Sequence, residues 1–271
     1  MKTNLNEIRK DLKQKFIQHN IDLVDADYII SYVLNAKKTE LIFIKEITKK
    51  QARKIYKIAR ARLKGKPLTK IVKKAYFYGL EFKVNKNVLS PRQDSENLID
   101  TALNYIQEND NVLDLCTGSG CLSIALKKNK KIDVVASDIS NKALKVARYN
   151  AQKNKAEIKF IKSNMFSKIF VKFDVIISNP PYIETSQVYQ LDIEVKKYDP
   201  KLALDGGKDG LDFYKIIKEN VKNYLKTNGY LILEIGENQK QKIIDLFNNL
   251  TFIEAVKDYG DNDRVVVFKN K

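Results

Sequence analysis

A chain of 271 residues is long enough for one large domain or two smaller ones, and its 44% apolar content, with 14 Tyr and 12 Phe, supplies a buried core and excludes a disordered chain. No apolar run approaches the roughly 18 residues needed to span a bilayer, and the charged start MKTNLNEIRKDLKQKF lacks the apolar stretch of a signal peptide, so a soluble, cytoplasmic protein with no membrane contact is expected. Net charge is +17, while a single histidine, His19, and two cysteines at C-x4-C spacing, Cys116 and Cys121, leave no material for a disulfide framework or a metal cluster and almost none for a Ser/His/Asp triad.

In chain order, Leu5, Ile8, Leu12 and Phe16 recur at helical spacing, an apolar segment follows at Tyr28 to Leu34, and Ala52, Ile55, Ile58, Ala59 and Leu63 repeat the helical pattern. A small helical domain over residues 1–68 is expected. It carries most of the charge: residues 1–87 hold 22 Lys/Arg against 8 Asp/Glu, and no acidic residue occurs between Glu46 and Glu81. Such a patch suits an anionic partner, either RNA or an acidic protein face; the competing reading is a solvated lysine-rich surface. Gly65 and Pro67 break the helix, and the aromatic, alternating stretch Tyr76 to Asn85 reads as a β-hairpin linker within residues 69–87.

From residue 88 to 271, apolar runs at 111–115, 132–137, 157–161, 173–178 and 229–235 alternate with helical segments such as 141–153 and 211–225. That alternation predicts an α/β domain with a parallel sheet covered by helices on both faces. The last two runs, 251–257 and 264–268, are joined only by the turn-rich Asp258 to Asp263, so they must be antiparallel and the sheet should end in a reversed strand.

Two motifs carry chemistry. The strand Val112 to Leu115 runs through Cys116, Thr117, Gly118, Ser119 and Gly120 into a helix, a turn whose glycines admit close backbone approach and whose helix start offers free N–H groups. Asp138 follows 20 residues after Gly118 at the end of the next strand, where a carboxylate can accept from ribose hydroxyls. As a dinucleotide fingerprint the turn is incomplete, because Ser123 stands where Gly or Ala belongs, and its plainer reading is a tight βα turn. The second motif, Asn179-Pro180-Pro181-Tyr182, directly follows a strand. Two prolines make a stiff loop with two fewer donors and free carbonyls, suited to a planar NH2 group whose two hydrogens need two acceptors.

Asn179 to Tyr182, together with Asp114-x-x-Thr117-Gly118-Ser119-Gly120, resembles the class I S-adenosylmethionine-dependent methyltransferases that modify planar amino groups. With Leu89 to Glu96, Ala203 to Tyr214 and Asp258 to Arg264 added, the whole chain is similar to the HemK/PrmC family, which methylates a glutamine side chain of peptide chain release factors. The resemblance implies a Rossmann-like sheet behind a helical substrate-docking domain, S-adenosylmethionine as cofactor and release factors as partners. It implies cofactor contacts from Cys116, Thr117, Gly118, Ser119, Gly120, Asp138, Asn164, Met165 and Asn179. The amide would be held by the Asn179 side-chain oxygen and the Pro180 carbonyl, with Pro181 stiffening the loop and Tyr182 packing on the amide plane. Three departures from the family pattern are Cys116 for a usual Gly, Ser90 and Gln93 in an Ile-Pro-Arg-Pro run, and Asn164-Met165 for Asp-Trp; they bear on cofactor affinity more than on reaction type.

Three function classes stand beside one another on the residues. A protein glutamine methyltransferase is favoured, and a DNA or RNA amino-group methyltransferase is the alternative, since the same loop accepts adenine and the chain is basic; no dedicated base-reading domain is visible beyond the helical segment. A non-catalytic RNA-binding module is disfavoured by the intact motifs. Asp205, Asp209 and Asp212 lack the spacing and terminal Glu of a calcium loop and read as a turn entering a helix. His19 reads as a capping residue and Arg264 as a loop anchor.

Overall fold

In the computed structural model, which describes residues 2–271, the chain divides between Val72 and Lys73 into two units. The first runs through β1 (Lys2–Asn4), α1 (Leu5–Ile17), α2 (Val24–Leu34), a 3-10 turn at Lys38–Phe43, β2 (Glu46–Thr48), α3 (Lys49–Leu63) and α4 (Leu68–Val72). Side-chain caps start α1 and α3: the Asn4 side chain accepts the Asn6 N–H at 2.9 Å, and Thr48 and Gln51 cap α3 reciprocally. Leu5, Ile8, Leu12 and Phe16 make one buried stripe of α1, packed with Ile29 and Ile30 of α2 and Ile55 and Ala59 of α3. The antiparallel β1–β2 pair was not expected from the sequence.

The second unit comprises β3 (Lys74–Phe77), β4 (Leu80–Lys83), α5 (Glu96–Tyr105), β5 (Asn111–Leu115), α6 (Cys121–Asn129), β6 (Asp133–Asp138), α7 (Asn141–Lys153), β7 (Lys159–Lys162), β8 (Phe173–Ser178), α8 (Thr185–Val188), α9 (Ile193–Tyr198), α10 (Asp212–Tyr224), β9 (Leu225–Glu234), α11 (Lys240–Leu246), β10 (Thr251–Lys257) and β11 (Asp263–Lys269). The β3–β4 hairpin sits inside this unit: Phe77 and Phe82 are fully buried with Leu98 and Ile99 of α5, and the Lys83 N–H donates to Asn150 of α7 at 2.7 Å. Phe77 and Phe82 bury themselves in the core of the second unit, which fixes the hairpin on that unit's helical layer.

Seven strands form the expected α/β sheet in the order β10-β11-β9-β8-β5-β6-β7. β5 to β9 run parallel, and β11, the last strand, is reversed as the short connection demanded. It lies between β9 and β10, so the sheet's edge strand, β10, again points with the majority. The register levels the functional strand ends: Leu115 lies opposite both Ser137 and Ser178, so the residues that follow β5 and β8 and the last residue of β6 emerge side by side where the strand order reverses.

Candidate active site

A cleft of about 350 Å³ opens at those strand ends. Cys116 to Ser119, Asp138 to Ser140, Ser163 to Met165, Asn179 and Pro181 line it, with Val88 to Arg92, Ser95, Leu202 and Phe213 closing its sides. Of the residues expected from the sequence, Gly120, Pro180 and Tyr182 lie off the cleft surface.

The β5–α6 turn is held by buried polar groups. Cys116, Gly118 and Gly120 take left-handed φ values of 62°, 56° and 80°. A methyl at Gly120 would come within 3.1 Å of the Ala147 Cβ, so glycine here lets α6 and α7 approach. For Cys116 the same conformation costs about 1–2 kcal/mol. Its Sγ lies 3.8 Å from the Met165 Sδ, and burial pushes both the Cys116 and Cys121 thiols up to about 12. Thr117 donates to the Asp114 carboxylate at 2.6 Å, and the Ser123 hydroxyl also bonds it. Ser123 therefore has work at the position where a dinucleotide site would carry glycine. Burial pushes Asp114 up to about 6 despite these donors, and its Oδ1 has no hydrogen-bond partner among the described residues. Asn150, fully buried, donates to the Ser119 carbonyl at 2.9 Å and ties the turn to the hairpin.

Asp138 accepts the Gly118 N–H at 2.9 Å on one oxygen and the Ser140 N–H at 2.8 Å on the other. One lone pair of each oxygen remains for a diol, and burial raises its pKa, so hydroxyl donors arriving there would favour the ionised form. Ser163 donates to the Met165 carbonyl at 2.6 Å and shapes the turn after β7, leaving Met165 buried against the cleft and Asn164 exposed at its rim. A carboxylate for two hydroxyls, a Gly turn and apolar walls from Val88, Leu122, Ala143 and Met165 fit a nucleoside-bearing cofactor.

On the opposite side, the Asn179 Nδ2 donates to the Ser95 hydroxyl at 3.2 Å, and its Oδ1 has no protein partner among the described residues. The Tyr182 hydroxyl points to Glu234 at 3.5 Å, and burial pushes its pKa upward. The loop's backbone is clasped by the segment 204–210: Ile183 N–H bonds the Leu204 carbonyl at 3.0 Å, Gly206 N–H the Ile183 carbonyl at 2.8 Å, and Thr185 N–H the Gly207 carbonyl at 2.8 Å. A methyl at Gly206 would sit 2.7 Å from the Tyr182 Cα, and one at Gly210 would sit 2.4 Å from the Tyr182 carbonyl oxygen. The Gly-Gly-Lys-Asp-Gly-Leu-Asp segment is thus the scaffold of the Asn-Pro-Pro-Tyr loop. Its acids serve turns: Asp205 accepts from the Thr185 hydroxyl at 2.6 Å, and Asp209 pairs with Lys215 at 2.7 Å.

Several contributors escaped the sequence reading. Gln239 donates to the Tyr182 carbonyl at 2.9 Å, Arg92 pairs with the buried Asp199 at 3.1 Å across the cleft mouth, and Ser95 and Glu234 back Asn179. A Glu ending an apolar strand was the one visible signal. Arg264 binds Asp258 at 2.9 Å and the Ile235 carbonyl at 3.1 Å, fastening the β10–β11 turn to the end of β9, and His19 meets the Lys15 carbonyl at 2.9 Å at the end of α1.

Residues 86–195 match the family model described as a methyltransferase small domain. A release factor glutamine methyltransferase from Fusobacterium nucleatum is 42% identical over 91% of this chain and 73% of its own length. One of the same name from Thermodesulfovibrio yellowstonii is 38% identical over 98% of this chain and 97% of its own. Among solved structures, a methyltransferase from Pyrococcus furiosus superposes with a TM-score of 0.56 at 20% identity, covering 82% of this chain and 98% of that one, which is a likeness of fold.

Proposed function

The chain belongs to the release factor glutamine methyltransferase family, and we propose that it transfers a methyl group from S-adenosylmethionine to the side-chain amide nitrogen of a glutamine in a peptide chain release factor. The observation that carries this reading is the orientation of Asn179 at the cleft: its NH2 is engaged by Ser95, so its oxygen is the end available to a ligand. The residues that would hold the cofactor are Cys116 to Ser119, Asp138, Asn164 and Met165, with Gly120 closing the turn behind them and Asn179 at the meeting point; when bound, S-adenosylmethionine would supply an electrophilic methyl group and keep its sulfur as the thioether S-adenosylhomocysteine. An amide nitrogen is a poor nucleophile, because its lone pair is delocalised into the carbonyl. The Asn179 oxygen at the cleft accepts one of its two hydrogens, the Pro180 carbonyl, which lies behind the cleft lining, is the second acceptor that the family resemblance implies, and an acceptor so placed aims the nitrogen at the donor side and stabilises the positive charge that grows on it. Neither proline has an N–H to compete for these acceptors. Tyr182 stiffens the loop from behind through its ring and its carbonyl bond to Gln239. As the N–C bond forms, the extra proton leaves to water.

The docking role falls to the first unit. A groove of about 440 Å³ there has an apolar floor that includes Leu12, Ala52, Ala59 and Leu63 and cations Lys49, Arg53 and Arg60 at its rim, which suits an acidic face of the protein substrate. Among the described residues no helix is long and apolar enough to cross a membrane, and a cytoplasmic site of action follows from the substrate proposed. Incubation with labelled S-adenosylmethionine and, in parallel, release factor, tRNA, ribosomal RNA and duplex DNA should place label on a release-factor glutamine, with turnover lost in Asn179→Ala while donor binding persists. Label on a nucleobase would overturn the substrate. Reversal of Lys49, Arg53 and Arg60 should raise the release-factor KM, and competition by RNA at the same groove would reassign that surface.

A further inference from the structure

We propose that Glu234 is a positioning residue that decides which end of the Asn179 amide faces the cleft. This rests on the methyl-transfer reading above, since it concerns the residue that receives the substrate amide. Ser178 and Leu233 are paired in the register of β8 and β9, so the next residues, Asn179 and Glu234, emerge as neighbours. Glu234 is 3% exposed; the Ser95 and Asn179 side chains are directed at its carboxylate as hydrogen-bond donors, its Oε1 receives the 3.5 Å approach of the Tyr182 hydroxyl, and its Oε2 lacks a well-formed partner among the described residues. A buried carboxyl with one oxygen short of a partner is costly to keep for stability alone. Ser95 and Asn179 are the side chains beside it.

The consequence follows from counting donors. An ionised carboxylate can only accept. With Glu234 ionised, the single Ser95 hydroxyl hydrogen turns toward it, Ser95 Oγ is left to accept, and the Asn179 NH2 fills that role, as the 3.2 Å contact shows. The Asn179 oxygen then faces the substrate. A neutral carboxyl or a glutamine at 234 can donate into Ser95 Oγ instead; the Ser95 hydrogen then turns to Asn179, whose oxygen rotates inward and whose NH2 opposes the substrate NH2, donor against donor. Protonation of one buried oxygen thereby reverses the polarity of the chain of three side chains.

Burial pushes Glu234 up to about 7. The groups that face it are Ser95, Arg264 and Asn179, which draw the value down, Asp94, which raises it, and Tyr182 and Tyr214 from the loop after β8 and from α10. Below that pH the inverted orientation should prevail, so kcat should rise as pH increases through about 7.

The test is kcat against pH for wild type and for Glu234→Gln, with donor Kd by calorimetry and the Asn179 side-chain NH2 resonances followed by NMR in the free protein. The expected result is a 10- to 100-fold lower kcat at pH 8 in Glu234→Gln, donor Kd within twofold, no rise across pH 7, and Asn179 signals that titrate near 7 only in the wild type. Ser95→Ala should likewise flatten the kcat profile across pH 7. A Glu234→Gln kcat within threefold of wild type, or Asn179 signals that ignore pH in the wild type, would overturn the proposal. If wild type labels no release-factor glutamine, the substrate reading fails, and the NMR titration still decides the role of Glu234.

Discussion

Replacing Gly206 with Ala tests whether the 204–210 segment sets the position of the Asn-Pro-Pro-Tyr loop, proposed above to receive the substrate amide. The glycine does not need a positive φ, so alanine brings steric demand and no backbone strain. The added carbon would stand 2.7 Å from the Tyr182 Cα, 2.8 Å from the Pro181 oxygen and 2.9 Å from the Tyr182 carbonyl carbon, all backbone atoms that cannot rotate away. Ordinary contact begins at 3.4 Å, so the loop must retreat by roughly 0.7 Å. Displacements of about 1 Å at a reacting centre cost on the order of 10²-fold in rate. We expect kcat to fall roughly 30- to 100-fold with donor Kd within threefold, because Gly118 and Asp138 belong to other strand ends. Steady-state methylation of release factor and calorimetry with S-adenosylmethionine measure the two. The control is Gly79→Ala in the hairpin, where φ is +72° and no atom lies within 4 Å: it should lower stability by about 1–2 kcal/mol and leave kcat intact. If Gly206→Ala keeps full activity, or loses donor binding and turnover by the same factor, the scaffold argument fails.

Asp138→Asn removes charge while keeping shape, and the loss of charge-assisted bonds worth about 1.5–3 kcal/mol should weaken donor binding roughly 10- to 100-fold by calorimetry; because burial raises its pKa, wild-type affinity should begin to fall with acidification above the usual carboxylate range, and the variant should not show this limb. Cys116 and Cys121, partly exposed but both pushed up to about 12, should react with iodoacetamide at pH 8 on the order of 10³ times more slowly than free cysteine, and alkylation at the free rate would refute the raised thiol values. Glu234 titrates at about 7 in the fold and near 4.5 unfolded, so the native state favours its protonated form; stability is fully present below the unfolded value and is lost as pH rises toward 7, by roughly 3 kcal/mol. Glu234→Gln should therefore gain several degrees of Tm over wild type at pH 8 and little at pH 4.5 in calorimetric scans, and an equal gain at both would contradict a buried, titrating carboxyl.

The strands β5, β6 and β8 were legible because each is a short apolar run closed by a turn residue, and a parallel sheet follows from the helices between them. The reversal of β11 was legible from the shortness of its connection, but its insertion between β9 and β10 was not, since pairing order depends on contacts far apart in sequence. The three-residue strands β1 and β2 have too few positions to show alternation. The hairpin's turn and aromatics were visible, whereas its seat on α5 and α7 rests on Asn150, a residue 67 positions away from Lys83.

The two halves of the cleft differ in the same way, and the difference explains what the sequence could disclose about each. The turn after β5 is built locally: Thr117 and Ser123 answer Asp114 within nine residues, and Gly118 answers Asp138 at 20, so the donor side reads as a contiguous motif. The Asn-Pro-Pro-Tyr loop has almost no local support. Its backbone is held from 204–210 and by Gln239, and its side chains by Ser95, 84 positions before Asn179, and Glu234, 52 positions after Tyr182. The prolines advertise stiffness but not direction. Direction comes from β9 lying beside β8 in a register that sets Glu234 next to Asn179, which is a property of the assembled sheet. On the methyl-transfer reading proposed above, a nucleophile as weak as an amide depends on the aim of its acceptors, so the contacts expected to matter most for rate are those with the longest range in sequence.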